Sequence, residues 1–100
     1  MVIEWLVFRV VPEFREKFIE RDEAIWTATL SAYPGFLGKE IWLEPQKSDR
    51  IIIVIRWQTR EQWKSIPHDV LMSTELEFAR AMGKTYKMID MAEYQIRKFP

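Results

Sequence analysis

The sequence holds a single histidine, His68. An imidazole is the natural general base near neutral pH, because its ordinary pKa lies close to it. His68 stands in the run Ser65-Ile66-Pro67-His68-Asp69, at an expected break between helices. Segments of that kind carry site residues. The competing structural reading is a solvent-facing histidine or a helix cap. Asp22 is the second ionisable residue in an unusual setting. Arg15, Asp22 and Thr29 recur every seven residues, about two helical turns, so they share one line down a helix. Apolar rows flank that line: Phe14, Phe18, Ile25 and Ala32 on one side, Ile19, Trp26, Leu30 and Tyr33 on the other. A carboxylate placed there must be paired, hydrated or protonated. His68 and Asp22 are therefore the candidate catalytic residues.

Ligand pockets combine aromatic walls with a few polar groups. Trp26, Thr29 and Tyr33 fit such a wall if the line borders a cleft between helix and sheet. The alternative is a wet seam in which Arg15 reaches solvent. Five tryptophans in 100 residues is a high share, and each indole N–H needs a partner when buried. Core or interface packing is the default for most of them. Trp57 and Trp63 flank the turn that leads toward His68, so they join the candidate substrate-binding set. No metal site is expected: there is one imidazole, no thiol and no His-x-x-x-His pair.

These residues need elements to hold them. Residues 2–11 are β-branched and aromatic and predict a strand. Pro12 suits a helix start, and Glu13 and Glu16 favour that end of the helix dipole. The helix is expected to run to Ala32 and stop at Tyr33-Pro34-Gly35. Residues 37–44 and 50–57 predict a hairpin around a polar turn. Thr59-Arg60-Glu61-Gln62 matches a capping box opening a short helix that Pro67 ends. Thr74-Glu75-Leu76-Glu77 matches a second box, for a helix stopping near Gly83. Residues 92–99 predict the last strand. The order β-α-β-β-α-β is the ferredoxin-like split motif, an α+β fold with an antiparallel sheet and helices on one face. It reads as one domain over residues 1–100.

A strand with one wet face should alternate apolar and polar residues. The third strand, Ile51-Ile52-Ile53-Val54-Ile55, does not. The first strand carries Ile3, Trp5 and Val7 on one face and Leu6, Phe8 and Val10 on the other. The edge strands hold the polar residues Lys39, Glu40, Glu44, Glu93, Gln95 and Arg97. Both faces of the sheet centre therefore call for burial, and an open apolar face of that size is unusual on a monomer. A homodimer through the open face is the simplest cover.

Composition narrows the functional classes. Fifteen basic and fifteen acidic residues cancel, whereas nucleic-acid binders carry a basic excess. The third strand also lacks the stacking rings of an RNA-recognition module. The absence of cysteine rules out disulfides and a thiol nucleophile. The N-terminal apolar run is too short for a membrane span and lacks signal-peptide features. The expectation is a cytoplasmic protein with no membrane or nucleic-acid partner.

Two segments carry a resemblance. Tyr33-Pro34-Gly35-Phe36-Leu37-Gly38 after a long helix is similar to the Pro-Gly-Phe-x-Gly step of the antibiotic biosynthesis monooxygenase-like family. Arg56-Trp57 followed by Gln58-Thr59-Arg60-Glu61-Gln62-Trp63 resembles that family's strand-Trp-helix segment. The resemblance implies a dimeric α+β barrel made by two sheets packed face to face. It also implies oxidation of an aromatic or quinone-like molecule by dioxygen with no cofactor, the deprotonated substrate itself supplying electrons. Relatives that degrade haem, and polyketide oxygenases, use an asparagine. This sequence contains no asparagine, so those residue sets do not carry over. A non-catalytic small-molecule-binding or stress-associated protein on the same dimeric scaffold is the alternative.

Overall fold

The central strands decide the architecture. In the computed structural model, which describes residues 1–98, β1 (Val2–Val10) and β3 (Arg50–Trp57) pair antiparallel in the middle of a four-stranded sheet. The edges are β2 (Phe36–Trp42) and β4 (Tyr86–Gln95), giving the order β2-β3-β1-β4. Every pairing is antiparallel. The fold is the expected ferredoxin-like α+β arrangement.

One helical rod follows β1. It comprises α1 (Arg15–Arg21), a π-helical segment (Asp22–Thr27) and α2 (Ala28–Leu30). It ends two residues before the expected Ala32, where the Tyr33 N–H turns back to the Leu30 carbonyl at 3.1 Å. The short α3 (Arg60–Lys64) and the long α4 (His68–Met82) connect β3 to β4. No helix among the described residues is long and apolar enough to cross a membrane.

Alternation along the strands builds the core. Ile51, Ile53, Ile55 and Trp57 of β3, with Phe8 and Val10 of β1, pack against Phe18, Ile25 and Leu30 of the first helix. Phe78 and Met82 of α4 complete that layer. Removing these side chains from water is the main stabilising term. The Phe18 ring lies 5.1 Å from both Phe8 and Phe78, centroid to centroid. The opposite face carries Ile3, Trp5, Val7, Ile52 and Val54, in register as Trp5↔Val54 and Val7↔Ile52. Trp5 meets Tyr94 edge to face at 6.4 Å. The sheet centre is apolar on both sides.

The Thr59 cap forms as expected: its hydroxyl accepts from the Gln62 N–H at 3.1 Å. The second box does not cap. α4 begins at His68, with Pro67 as its cap residue. Thr74 lies within the helix, and its hydroxyl donates to the Val70 carbonyl at 2.7 Å. Pro67 cannot continue a preceding helix but suits the start of a new one, so the helix opens there. The last strand starts at Tyr86 rather than 92. Both its faces are largely exposed, which erases the alternation that marks a strand. Phe99, the end of the expected strand, lies outside the described residues.

Lys39 stands apart from the other polar residues of the edge strands. Its side chain is only 5% exposed. The β2–β3 register shifts between Phe36 and Gly38. That bulge inserts one residue and resets the alternation. Lys39 then stands opposite Ile55, on the face that packs under the helices.

Candidate functional site

A cavity of about 360 Å³ lies between the sheet and the helices. Leu6 and Phe8 of β1, with Ile53 and Ile55 of β3, line it from the sheet. Trp26 and Leu30 of the first helix, Trp63 of α3, Ile66 and Leu71 line it from the helices. Met88 and Met91 of β4 line its edge and are themselves well exposed. The wall is therefore mostly apolar and aromatic, as small-molecule sites are. The Lys64 ammonium lies 4.0 Å from the Trp63 ring centroid, a cation–π contact that steadies this indole.

Few polar side chains enter the cavity, and they are organised. Asp22 opens the π-helical segment and is buried. Its carboxylate pairs with the Lys39 ammonium at 2.5 Å. Wider π turns occur often at functional positions, and here one carries Asp22 toward the sheet. Burial pushes the Asp22 carboxyl above its ordinary range, and the Lys39 charge holds that rise back. Glu4 enters from β1. Its carboxylate accepts from the Trp57 indole N–H at 3.3 Å. Burial raises its pKa as well, opposed first by the Trp57 hydrogen bond and then by Lys64 and Lys39. At another part of the wall the Tyr86 hydroxyl donates to Glu75 at 2.7 Å. Burial and that carboxylate both push the phenol upward, so it stays protonated.

The strand register gives these groups their spacing. Lys39 and Glu4 both stand opposite Ile55, one from each side. Adjacent strands lie about 4.8 Å apart, so the two backbones are about 10 Å apart across that isoleucine. A cation and a carboxylate thus flank an apolar floor. Such a site can hold a flat molecule, polarise one end of it and exchange a proton at the other.

The candidate residues separate cleanly. Asp22, Trp26 and Trp63 line the cavity. Trp57 lies behind it, fully buried, with its N–H on Glu4 and its ring 5.6 Å from Phe36. Thr29 donates to the Ile25 carbonyl at 3.0 Å, and Tyr33 packs on the core; neither lines the cavity. His68 is the exposed first residue of α4 and also stays out of the lining. The line through Arg15, Asp22 and Thr29 does not act as a unit. Arg15 turns to the β2–β3 loop, where it donates to the Ser48 carbonyl at 3.2 Å. Glu4 and Lys39 were missed. Glu4 had a signal, because it interrupts the even-numbered row Val2, Leu6, Phe8, Val10. Lys39 had none, since its direction depends on the bulge. Among the described residues no group of three or more His, Cys, Asp or Glu side chains is arranged to hold a metal ion.

The family model described as antibiotic biosynthesis monooxygenase matches residues 1–66. The chain belongs to the antibiotic biosynthesis monooxygenase family. That span contains β1, the π segment, Lys39, Trp57 and Trp63, and so most of the cavity's polar side chains. A search of the curated proteins returns no match. Among solved structures, the chain is similar to a putative antibiotic biosynthesis monooxygenase from Deinococcus radiodurans (TM-score 0.72, 14% identity, covering 100% of this chain and 96% of that one). It is likewise similar to SnoaB, a cofactor-independent oxygenase from Streptomyces nogalater (TM-score 0.63, 18% identity, 98% and 94% covered). A third is a putative antibiotic biosynthesis monooxygenase from Chloroflexus aurantiacus (TM-score 0.69, 19% identity, 99% and 95% covered). At these identities the likeness establishes the shared fold across the whole length of family members.

Proposed function

We propose that this family member is a monooxygenase-like protein that binds a small aromatic or quinone-like molecule in the helix–sheet cavity and oxidises it with dioxygen. The observation that carries this reading is the cavity itself: Trp26 and Trp63 as walls, with a buried Asp22–Lys39 pair at one side. The chemistry needs no cofactor when the substrate supplies the electrons. A methylene held between aromatic rings loses a proton, and the resulting anion reduces dioxygen. One oxygen atom becomes the carbonyl of the product and the other leaves as water with both methylene hydrogens. The dry wall disfavours free ions, so the protein must supply charged groups where charge develops. His68, in solvent, has no part in this step.

The test is oxygen uptake by the pure protein with an anthrone under air. Uptake above the blank that falls at least tenfold in Trp26→Ala and Asp22→Asn, but not in His68→Ala, is the expected result. Uptake unaffected by the cavity variants would overturn the assignment. Tight binding of the anthrone, seen as tryptophan quenching with no uptake, would favour the non-catalytic binding reading. The reason lies in the same pair: a carboxylate already neutralised by Lys39 is a weakened base.

The same proposal includes a homodimer closed through the open sheet face. Trp5, Val7 and Ile52, all partly exposed, surround the buried Val54 there, and a two-fold partner offers the same apolar face in return. Light scattering is expected to give twice the chain mass, and the single-chain mass for Ile52→Glu. A wild-type monomer at micromolar concentration would sink the dimer.

A further inference from the structure

Three carboxylates line the cavity, and their partners differ. The exposed Glu75 already accepts from the Tyr86 hydroxyl at 2.7 Å. Asp22 is bound to the Lys39 ammonium, with both side chains buried. Its lone pairs point at a cation, so taking a proton would break that pair. Among the described residues Glu4 has no ion pair and is held by one neutral donor, the Trp57 indole. Lys39 and Lys64 act on it through space. Glu93, its neighbour across β1–β4, is bound to Arg60 at 2.8 Å and is spoken for. Glu4 therefore keeps free acceptor capacity inside an apolar space. Across Ile55 stands the one ammonium among the cavity-lining side chains.

We infer that Glu4 is the proton-accepting catalytic residue of this cavity, that Lys39 stabilises the anion so formed, and that Asp22 positions Lys39. The inference rests on the reading of the cavity as an aromatic-ligand site and adds a direction to it. The ligand is a flat conjugated molecule with an acidic O–H or C–H near Glu4 and an electron-withdrawing oxygen near Lys39. The O–H or C–H bond breaks and its proton goes to a Glu4 oxygen. The electron pair stays on the ligand and spreads through the ring toward the ammonium of Lys39, whose strand lies two strand spacings, about 10 Å, from that of Glu4. Burial favours the neutral form of Glu4, which helps it keep the proton once taken. Trp57 is then a positioning residue for Glu4, which gives the fully buried indole a role beyond packing.

The probe is 4-nitrophenol, whose phenolate has its own absorption band and whose charge spreads onto the nitro group. Bound to the wild-type protein, it is expected to ionise at a pH about one unit or more below its free value. In Lys39→Met that shift is lost. Where that variant does not fold, Asp22→Asn combined with Lys39→Met removes both members of the pair, so neither is left as an unpaired buried charge, and serves instead. Asp22→Asn alone reduces the shift without abolishing binding, as a positioning role requires. Calorimetry in two buffers of unlike ionisation heat then follows the proton. Wild-type protein forms the phenolate with no net proton release, because Glu4 keeps the proton. In Glu4→Gln about one proton per phenolate goes to the buffer. Equal proton release in wild type and Glu4→Gln overturns the Glu4 assignment. An unchanged ionisation pH in Lys39→Met overturns the Lys39 assignment. Either result, with tryptophan quenching intact, leaves the aromatic-ligand reading standing. No quenching at all by 4-nitrophenol or an anthrone overturns both.

Discussion

Replacing Lys39 by methionine breaks an ion pair that is buried on both sides. The Lys39 and Asp22 side chains are 5% and 4% exposed, and their charged atoms lie 2.5 Å apart. Methionine keeps most of the side-chain volume, so packing changes little. What remains is a buried carboxylate without its cation. Breaking a buried pair by removing one partner costs about 3–5 kcal/mol. For a domain of this size that is on the order of 15 °C or more in Tm, at about 4–8 °C per kcal/mol. The deficit must depend on pH. Burial already raises the Asp22 pKa above 3.8, and Lys39 opposes the rise. Without Lys39 it is raised further. A carboxyl raised on folding keeps its proton when the unfolded chain has released it. Its contribution is full below pH 3.8 and is lost as pH rises through the folded value. The variant is therefore weakest at neutral pH, and its deficit shrinks as pH falls toward that limit. Urea unfolding followed by tryptophan fluorescence, at neutral pH and again at about pH 4, measures the difference from wild type. Adding Asp22→Asn should recover most of the loss. A deficit under about 1 kcal/mol, one independent of pH, or no recovery in the double variant would refute the buried pair as described.

Three further outcomes follow from other contacts. Glu4→Gln should be more stable than wild type at alkaline pH, with the difference vanishing below pH 4.5, since burial raises this carboxyl on folding; thermal melts across pH check the sign. Gly35→Ala should cost about 1–3 kcal/mol, because φ there is +94° and a Cβ would meet the Gln62 side chain at 2.5–2.7 Å. Adding Gln62→Ala removes the contact but not the backbone strain, so recovery in chemical denaturation should be partial. Thr59→Ala removes the cap on the Gln62 N–H and should cost about 1 kcal/mol by the same assay.

The physical divide between sequence and structure runs through particular residues. Ile51 to Ile55, apolar at every position, marked a central strand with two buried faces, because a backbone of period two cannot hide such a run on one side. Residues 50–57 matched β3 at both ends. The Thr59 cap was legible because its partner lies three residues away, and the Tyr33-Pro34-Gly35 turn because its signal is local. Thr74 shows the limit of such signals: the same pattern stands inside a helix that Pro67 starts. The cavity was legible only in part. Asp22, Trp26 and Trp63 were named from helix faces and position, and they do line it. His68 was chosen for its chemistry, and chemistry without placement left it in solvent. Glu4 showed only as the one acid in the otherwise apolar even-numbered row of its strand, with nothing local to name its partner. Lys39 could not be read at all. A single inserted residue beside Gly38 inverts the facing of everything after it on β2. Sequence alone determined the order of strands and helices and the two-faced sheet, because those follow from local periodicity. Tertiary structure decided which charges meet, because that depends on register, and register is settled by pairing across the sheet rather than along the chain.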